Sequence, residues 1–178
     1  MRSLTFITGN LNKVTWTKRY MHIPIAHKKL DLLEIQSLDP KKVVEHKVKQ
    51  AYELLKKPVL VEDTSLTISA WGRLPGPFIK YFLEEIGNDG ICKLLTDPDR
   101  SAVATVTYGI YDGKNVQFFE GTVNGSISEV PRGNNGFGWN DIFIPEGYNK
   151  TYAEMTDNEL DEINLRRIAL EKMKHRAL

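Results

Sequence analysis

The sequence predicts a single domain in which helices and strands alternate, of the α/β or α+β class. Three observations predict it. Short apolar or β-branched runs, such as Leu4–Ile7 and Val59–Val61, read as buried strands. Between them lie stretches with helical spacing, such as Val44, Val48, Ala51 and Leu55. The 178 residues form no repeats, linkers or low-complexity segments, and they suffice for one full hydrophobic core with room for two lobes. Residues 1–178 therefore read as one domain.

The elements follow in order. Leu4–Ile7 is a strand ending at Gly9, and Asn12–Met21 is the helix after that turn. A second strand is expected around Ile23–His27, leading into residues 30–38. Asp39-Pro40 supplies an N-cap and a first-turn proline for a helix to Lys57, which Pro58 stops. Val59–Val61 is an apolar strand, and Thr64–Ser69 continues extended. Leu74–Pro77 is a turn, with helices over Phe78–Ile86 and Gly90–Leu95. Ser101–Tyr111 and Val116–Val123 are strands, joined as a hairpin by Asp112–Asn115. Gly133–Gly136 is a loop and Ile142–Ile144 a last short strand. Thr156 and Glu159 form a capping box opening one helix that runs to about His175.

Composition removes several function classes. Lys and Arg total 24 against 23 Asp and Glu, a net charge of +1. That leaves no basic excess for a nucleic-acid backbone, so no nucleic-acid partner is expected. Cys92 is the sole cysteine, which suits a reducing compartment. The N-terminal apolar run is too short for a signal peptide, and no stretch approaches the roughly 20 apolar residues that span a bilayer. The expectation is a soluble, cytoplasmic protein with no membrane partner.

Three places combine unusual residues with exposed backbone. The first is Thr8-Gly9-Asn10-Leu11-Asn12-Lys13. A strand runs into a glycine turn that opens a helix, and the N–H groups there suit a phosphate. The same pattern also fits a plain strand-to-helix turn. The second is Glu62-Asp63, two carboxylates ending an apolar strand. Such a pair fits a hard cation like Mg²⁺, or simply a solvated strand end. Neighbouring strand residues point to opposite faces, so only one of the pair is expected to face a site. The third is the glycine-rich, aromatic stretch Gly133–Trp139 together with Arg166. Arg166 shares a helical stripe with Ile163, Leu170, Met173 and Ala177. An inward arginine either meets an anion or snorkels to solvent. The four histidines show no metal-ligand spacing.

Read in sequence, FITGNLNK (6–13), LLEIQS (32–37), EHK (45–47), PVLVEDTSL (58–66), GRLPGPFIKYFLE (72–84), FGWNDIFIPEGY (137–148) and TYAEMT (151–156) resemble the inosine triphosphate pyrophosphatase family. Each motif is weak alone; their order and spacing are specific. The resemblance implies an elongated, two-lobed α/β fold, a mixed twisted sheet flanked by helices with the nucleotide in a cleft between the lobes. It implies a homodimer that uses Mg²⁺ to hydrolyse ITP, dITP and XTP to monophosphate and pyrophosphate. It places Thr8, Gly9, Asn10 and Lys13 in the phosphate loop, and Glu34 and Asp63 on the metal. Lys47 faces phosphate, Glu62 and Thr64 flank the metal carboxylate, and Lys80 follows the LPGP turn. Phe137, Gly138, Trp139 and the neighbouring Asn140 belong to the base-binding loop, and Arg166 matches the arginine of a C-terminal Ser-His-Arg motif. Asp63 and Glu62 both qualify as proton acceptor for the attacking water, and Lys13, Lys47 and Arg166 as charge stabilisers.

Four positions depart from the family pattern. Asn140 stands where Asp is usual, Asn164-Leu165 where Ser-His is usual, and Leu160 where a lysine is common. The phosphate end is intact and the purine-reading end is altered, so base selectivity is expected to be relaxed or shifted. The alternative is a nucleotide-binding homologue with little turnover.

Overall fold

The computed structural model describes residues 4–21 and 25–177. Strand β1 (Thr5–Ile7) leads into helix α1 (Leu11–Tyr20). The Asn10 side chain caps α1 by accepting from the N–H groups of Asn12 and Lys13, which have no partner within the helix. Lys18 and Arg19 lie in the last turn, where the helix dipole favours cations. β2 covers Ala26–Lys28; positions 23 and 24 of the expected second strand lie outside the described residues.

Helix α2 (Pro40–Leu55) starts on the Asp39 cap and ends at Lys56, whose φ of 50° is left-handed. β3 is one unbroken strand, Val59–Ile68, where the sequence suggested two extended runs. The LPGP turn adds a two-residue strand, β4 (Pro75–Gly76), antiparallel to β3. Helices α3 (Ile79–Glu85) and α4 (Gly87–Leu94) follow, then β5 (Ser101–Tyr111) and β6 (Val116–Ile127). β6 runs four residues beyond Val123. Antiparallel pairing of Gly125–Ile127 with β7 (Phe143–Pro145) keeps the added residues extended.

The C-terminal helix is two helices. The Thr156–Glu159 capping box opens α5 (Asp157–Ile163) as expected. The chain then turns extended at Asn164 (φ −71°, ψ 118°) and restarts as α6 (Leu165–Ala177). Asparagine is a weak helix former, and the break ends the common stripe with Ile163. On α6 itself Arg166, Ala169, Leu170 and Met173 are buried at helical spacing.

The strands form one mixed sheet in the order β2-β1-β3-β5-β6-β7, with β4 added on β3. β1 pairs in parallel with both β2 and β3. The chain divides into two compact units. The first is Met1–Thr64, Val106–Gly121 and Leu165–Leu178; the second is Ser65–Thr105 and Thr122–Asn164. In the first unit Ile7, Val44, Val48, Ala51, Val59 and Val61 form a core between the sheet and α2, and α1 packs on α6. In the second unit the Trp139, Phe143 and Tyr152 rings pack together, with centroids 5.1–6.2 Å apart. Among the described residues no helix is long and apolar enough to cross a membrane.

Candidate active site

Parallel pairing brings the candidate site residues that follow β1 and β2 and those that lie in β3 to one end of the sheet. The chain passes from β1 through α1 to β2 on one side, then through α2 to β3 on the other. β1 and β3 therefore flank a topological switch point, where ligands of open α/β sheets bind at the carboxyl ends of the strands. Ile7 is in register with Val61 and with Lys28. The residues that follow are Thr8-Gly9 after β1, Glu62-Asp63 in β3 and Lys29 after β2.

Glu62 and Asp63 face opposite sides of the sheet, as strand alternation requires. Glu62 is fully buried. Arg166 Nε donates to its Oε2 at 3.1 Å and Nη2 to its Oε1 at 2.8 Å. Tyr108 donates its hydroxyl to Oε2 at 2.7 Å, and Lys13 Nζ lies 3.4 Å from Oε1. Because the Tyr108 proton is committed to Glu62, the Thr17 hydroxyl 2.9 Å away donates to the phenol oxygen. Burial alone would raise the Glu62 carboxyl; Arg166 and Lys13 overcome it and hold the group at about 2. The inward arginine therefore meets an anion, and that anion belongs to the chain.

Asp63 lies on the α2 side. Lys47, on α2, donates to Asp63 Oδ1 at 3.2 Å and to Glu34 Oε1 at 2.6 Å. Burial opposes the Lys47 charge, but the two carboxylates outweigh it and raise its pKa. The Asp63 pKa is also raised, chiefly by burial. Its Oδ2 is buried and has no hydrogen-bond partner. Glu34 stands on an irregular segment that Gln50 holds in place. The Gln50 amide donates to the Leu33 carbonyl at 2.8 Å and accepts the Leu33 N–H at 3.1 Å.

The loop residues are tied into its turn. Asn10 N–H donates to the Thr8 hydroxyl at 3.1 Å while the Asn10 side chain caps α1. Gly9 is exposed and Thr64 half-buried.

Glu34 and Asp63, both engaged by Lys47, are the carboxylates that could hold a hard cation here, and Oδ2 of Asp63 is the buried oxygen left without a hydrogen-bond partner. Among the described residues no group of three or more potential metal ligands occurs. Mg²⁺ suits such a donor set, because it keeps waters and substrate phosphates in its shell.

The other expected site residues lie in the second unit. Lys80 is exposed, 3.8 Å from Glu84 and over the Tyr81 ring. Phe137 is half-buried and Gly138 exposed. Trp139 is only 7% exposed, so most of its indole is a core surface. Asn88 donates to the Gly138 carbonyl at 2.7 Å and to Asp141, which engages that carboxylate in holding the loop. The Asn140 side chain lies against Gly136, where any Cβ would collide with its amide. Leu160 and Leu165, two of the unusual residues, are buried.

Sequence reasoning missed Thr17, Tyr108 and Gln50. Tyr108 follows Ala102, Ala104 and Val106 at strand period, all buried, which is the signal that could have found it. Tyr108→Phe leaves Glu62 one donor short and is expected to cost about 1–3 kcal/mol in urea unfolding.

A model of the Ham1 family matches residues 4–176. An inosine triphosphate pyrophosphatase of Schizosaccharomyces pombe is 42% identical over 179 residues, covering 98% of this chain and 94% of that protein. Inosine triphosphate pyrophosphatase 2 of Trypanosoma cruzi is 44% identical, covering 96% and 90%. The fold is also that of solved structures. A HAM1 protein from Coxiella burnetii superposes with a TM-score of 0.87 at 23% identity over 98% of both chains. The Staphylococcus aureus Ham1 protein gives 0.77 at 22% identity over 97% of both. Matched along nearly its whole length in sequence and in fold, the chain belongs to the Ham1 family.

Proposed function

We propose that this chain hydrolyses non-canonical purine nucleoside triphosphates such as ITP, dITP and XTP to monophosphate and pyrophosphate. The names borne by its full-length relatives support the substrate and the reaction. The observation that carries the mechanism is the buried, unpartnered Oδ2 of Asp63 beside Glu34 and Lys47.

Asp63 is the proton acceptor. Water attacks phosphorus, the α–β phosphoanhydride bond breaks, pyrophosphate departs and the water proton passes to Asp63. Glu62 does not take this role: its oxygens already accept three hydrogen bonds and its basicity is low. It fixes Arg166 and Lys13 instead. Lys13, Lys47 and the loop Thr8-Gly9-Asn10 stabilise the charge that develops on the leaving phosphates. Glu34 and Asp63 would hold Mg²⁺, which neutralises phosphate oxygens when bound.

Phe137 offers a face for the base, Trp139 is packed into the core against Phe143 and Tyr152, and Asn140 replaces a carboxylate of the family pattern. Because an amide both donates and accepts, base selectivity is relaxed or shifted. The resemblance further supports a homodimer, and the single buried cysteine a reducing, cytoplasmic setting.

The test is pyrophosphate release from ITP, XTP, dUTP, GTP and ATP, with Mg²⁺ and with a chelator. Release from ITP and XTP that the chelator stops is expected, together with measurable turnover of a canonical purine. No release from any nucleotide contradicts the function. Comparable ITP and XTP rates with ATP strongly rejected contradict the selectivity shift alone.

A further inference from the structure

The charges at the site balance before any substrate arrives. Glu34, Glu62 and Asp63 face Lys47, Arg166 and Lys13 at hydrogen-bond or ion-pair distance. With all six groups ionised the cluster is neutral. The cations expected to receive a triphosphate are thus already engaged by carboxylates of the chain.

One further cation stands at the loop. The Thr8 N–H donates to the Lys28 carbonyl at 3.1 Å, which fixes the segment after β2 beside the turn after β1. A Cβ built at Gly9 would lie 3.3–3.4 Å from Cγ, Cδ and Cε of Lys29. The Lys29 stem therefore runs beside the loop backbone at Gly9. Lys29 is exposed, and among the described residues no carboxylate pairs with it.

We infer that Lys29 is a phosphate-contacting residue of this site, supplying the uncompensated positive charge that draws the polyphosphate onto the Thr8-Gly9-Asn10 loop. This rests on the triphosphate reading above. A point charge on a flexible stem suits a polyphosphate, whose charge is spread over many oxygens. Gly9 serves two ends in this arrangement: the absent Cβ leaves room for the stem as well as for close approach of an anion.

The contact is solvent-exposed, so its effect is moderate and sensitive to salt. Lys29→Ala, Lys29→Arg and a control in the distant hairpin turn, Lys114→Ala, separate charge from structure. Lys29→Ala is expected to raise KM for ITP about 3- to 10-fold, with kcat within about twofold of wild type. Lys29→Arg and Lys114→Ala should stay near wild type, and the difference should shrink at about 0.5 M salt. Calorimetric binding of pyrophosphate gives a readout that needs no turnover. Its affinity should weaken in Lys29→Ala by the same factor. Unchanged KM and unchanged pyrophosphate affinity in Lys29→Ala would overturn the inference, as would an arginine variant as impaired as the alanine one. A wild-type chain that cleaves no nucleotide would count against the proposed function, while pyrophosphate binding would still decide Lys29.

Discussion

Asp63→Asn is expected to lower kcat for pyrophosphate release about 10²- to 10⁴-fold while leaving the fold intact, the usual range for removing a positioned general base. The substitution keeps the shape and removes the charge and the proton acceptor. It does not strand Lys47, because Glu34 remains 2.6 Å from that ammonium. The thermal midpoint should therefore stay close to wild type, and circular dichroism checks it. Glu62→Gln differs in kind. It removes the anion that anchors Arg166 and Lys13, so stability falls along with activity. A kcat loss under tenfold for Asp63→Asn would move the acceptor role away from this residue.

Arg166→Leu carries the second large effect. It leaves the Glu62 carboxylate buried with Lys13 as its remaining cation, and breaking a buried pair from one side costs about 3–5 kcal/mol. For a domain of this size that is a fall of roughly 6–20 °C in Tm. Replacing both partners, as Glu62→Gln with Arg166→Met, should recover much of the loss, because no unpaired charge remains. A double variant less stable than Arg166→Leu would contradict this account. The pair also sets an acid limit. The folded Glu62 carboxyl is held at about 2 against an ordinary value of 4.5. Its depressed pKa gives stability that is complete above the ordinary value and is lost as pH falls toward 2. The contribution is roughly 3 kcal/mol. Urea midpoints measured between pH 6 and 2 follow it, and Glu62→Gln should flatten that dependence.

The local geometry of the candidate site was legible in the sequence. Strand-glycine-helix punctuation gave the loop at Thr8–Lys13, and the alternation of side chains gave Glu62 and Asp63 their opposite faces. The Asp39-Pro40 start fixed α2 and hence Lys47. What the sequence left open depends on partners far along the chain. Arg166 and Glu62 are separated by 104 positions, and either of two readings of an inward arginine fitted the pattern. Tyr108 looked like one more aromatic in a β-branched strand until Thr17 and Glu62 fell on either side of its hydroxyl. Periodicity carried the last helix straight through Asn164, because a single weak helix former rarely overrides a capped, amphipathic pattern. Trp139 shows the same limit from the other side. Its motif suggests a stacking surface, while its burial is set by Phe143 and Tyr152.

The proposed cut falls between the α and β phosphates and is assisted by Asp63. The most direct test is product analysis of ITP turnover with Mg²⁺, following inosine nucleotides and phosphates together. The account predicts one pyrophosphate for each IMP, no IDP, and loss of both products in Asp63→Asn. IDP with orthophosphate, or undiminished IMP formation by Asp63→Asn, would contradict it.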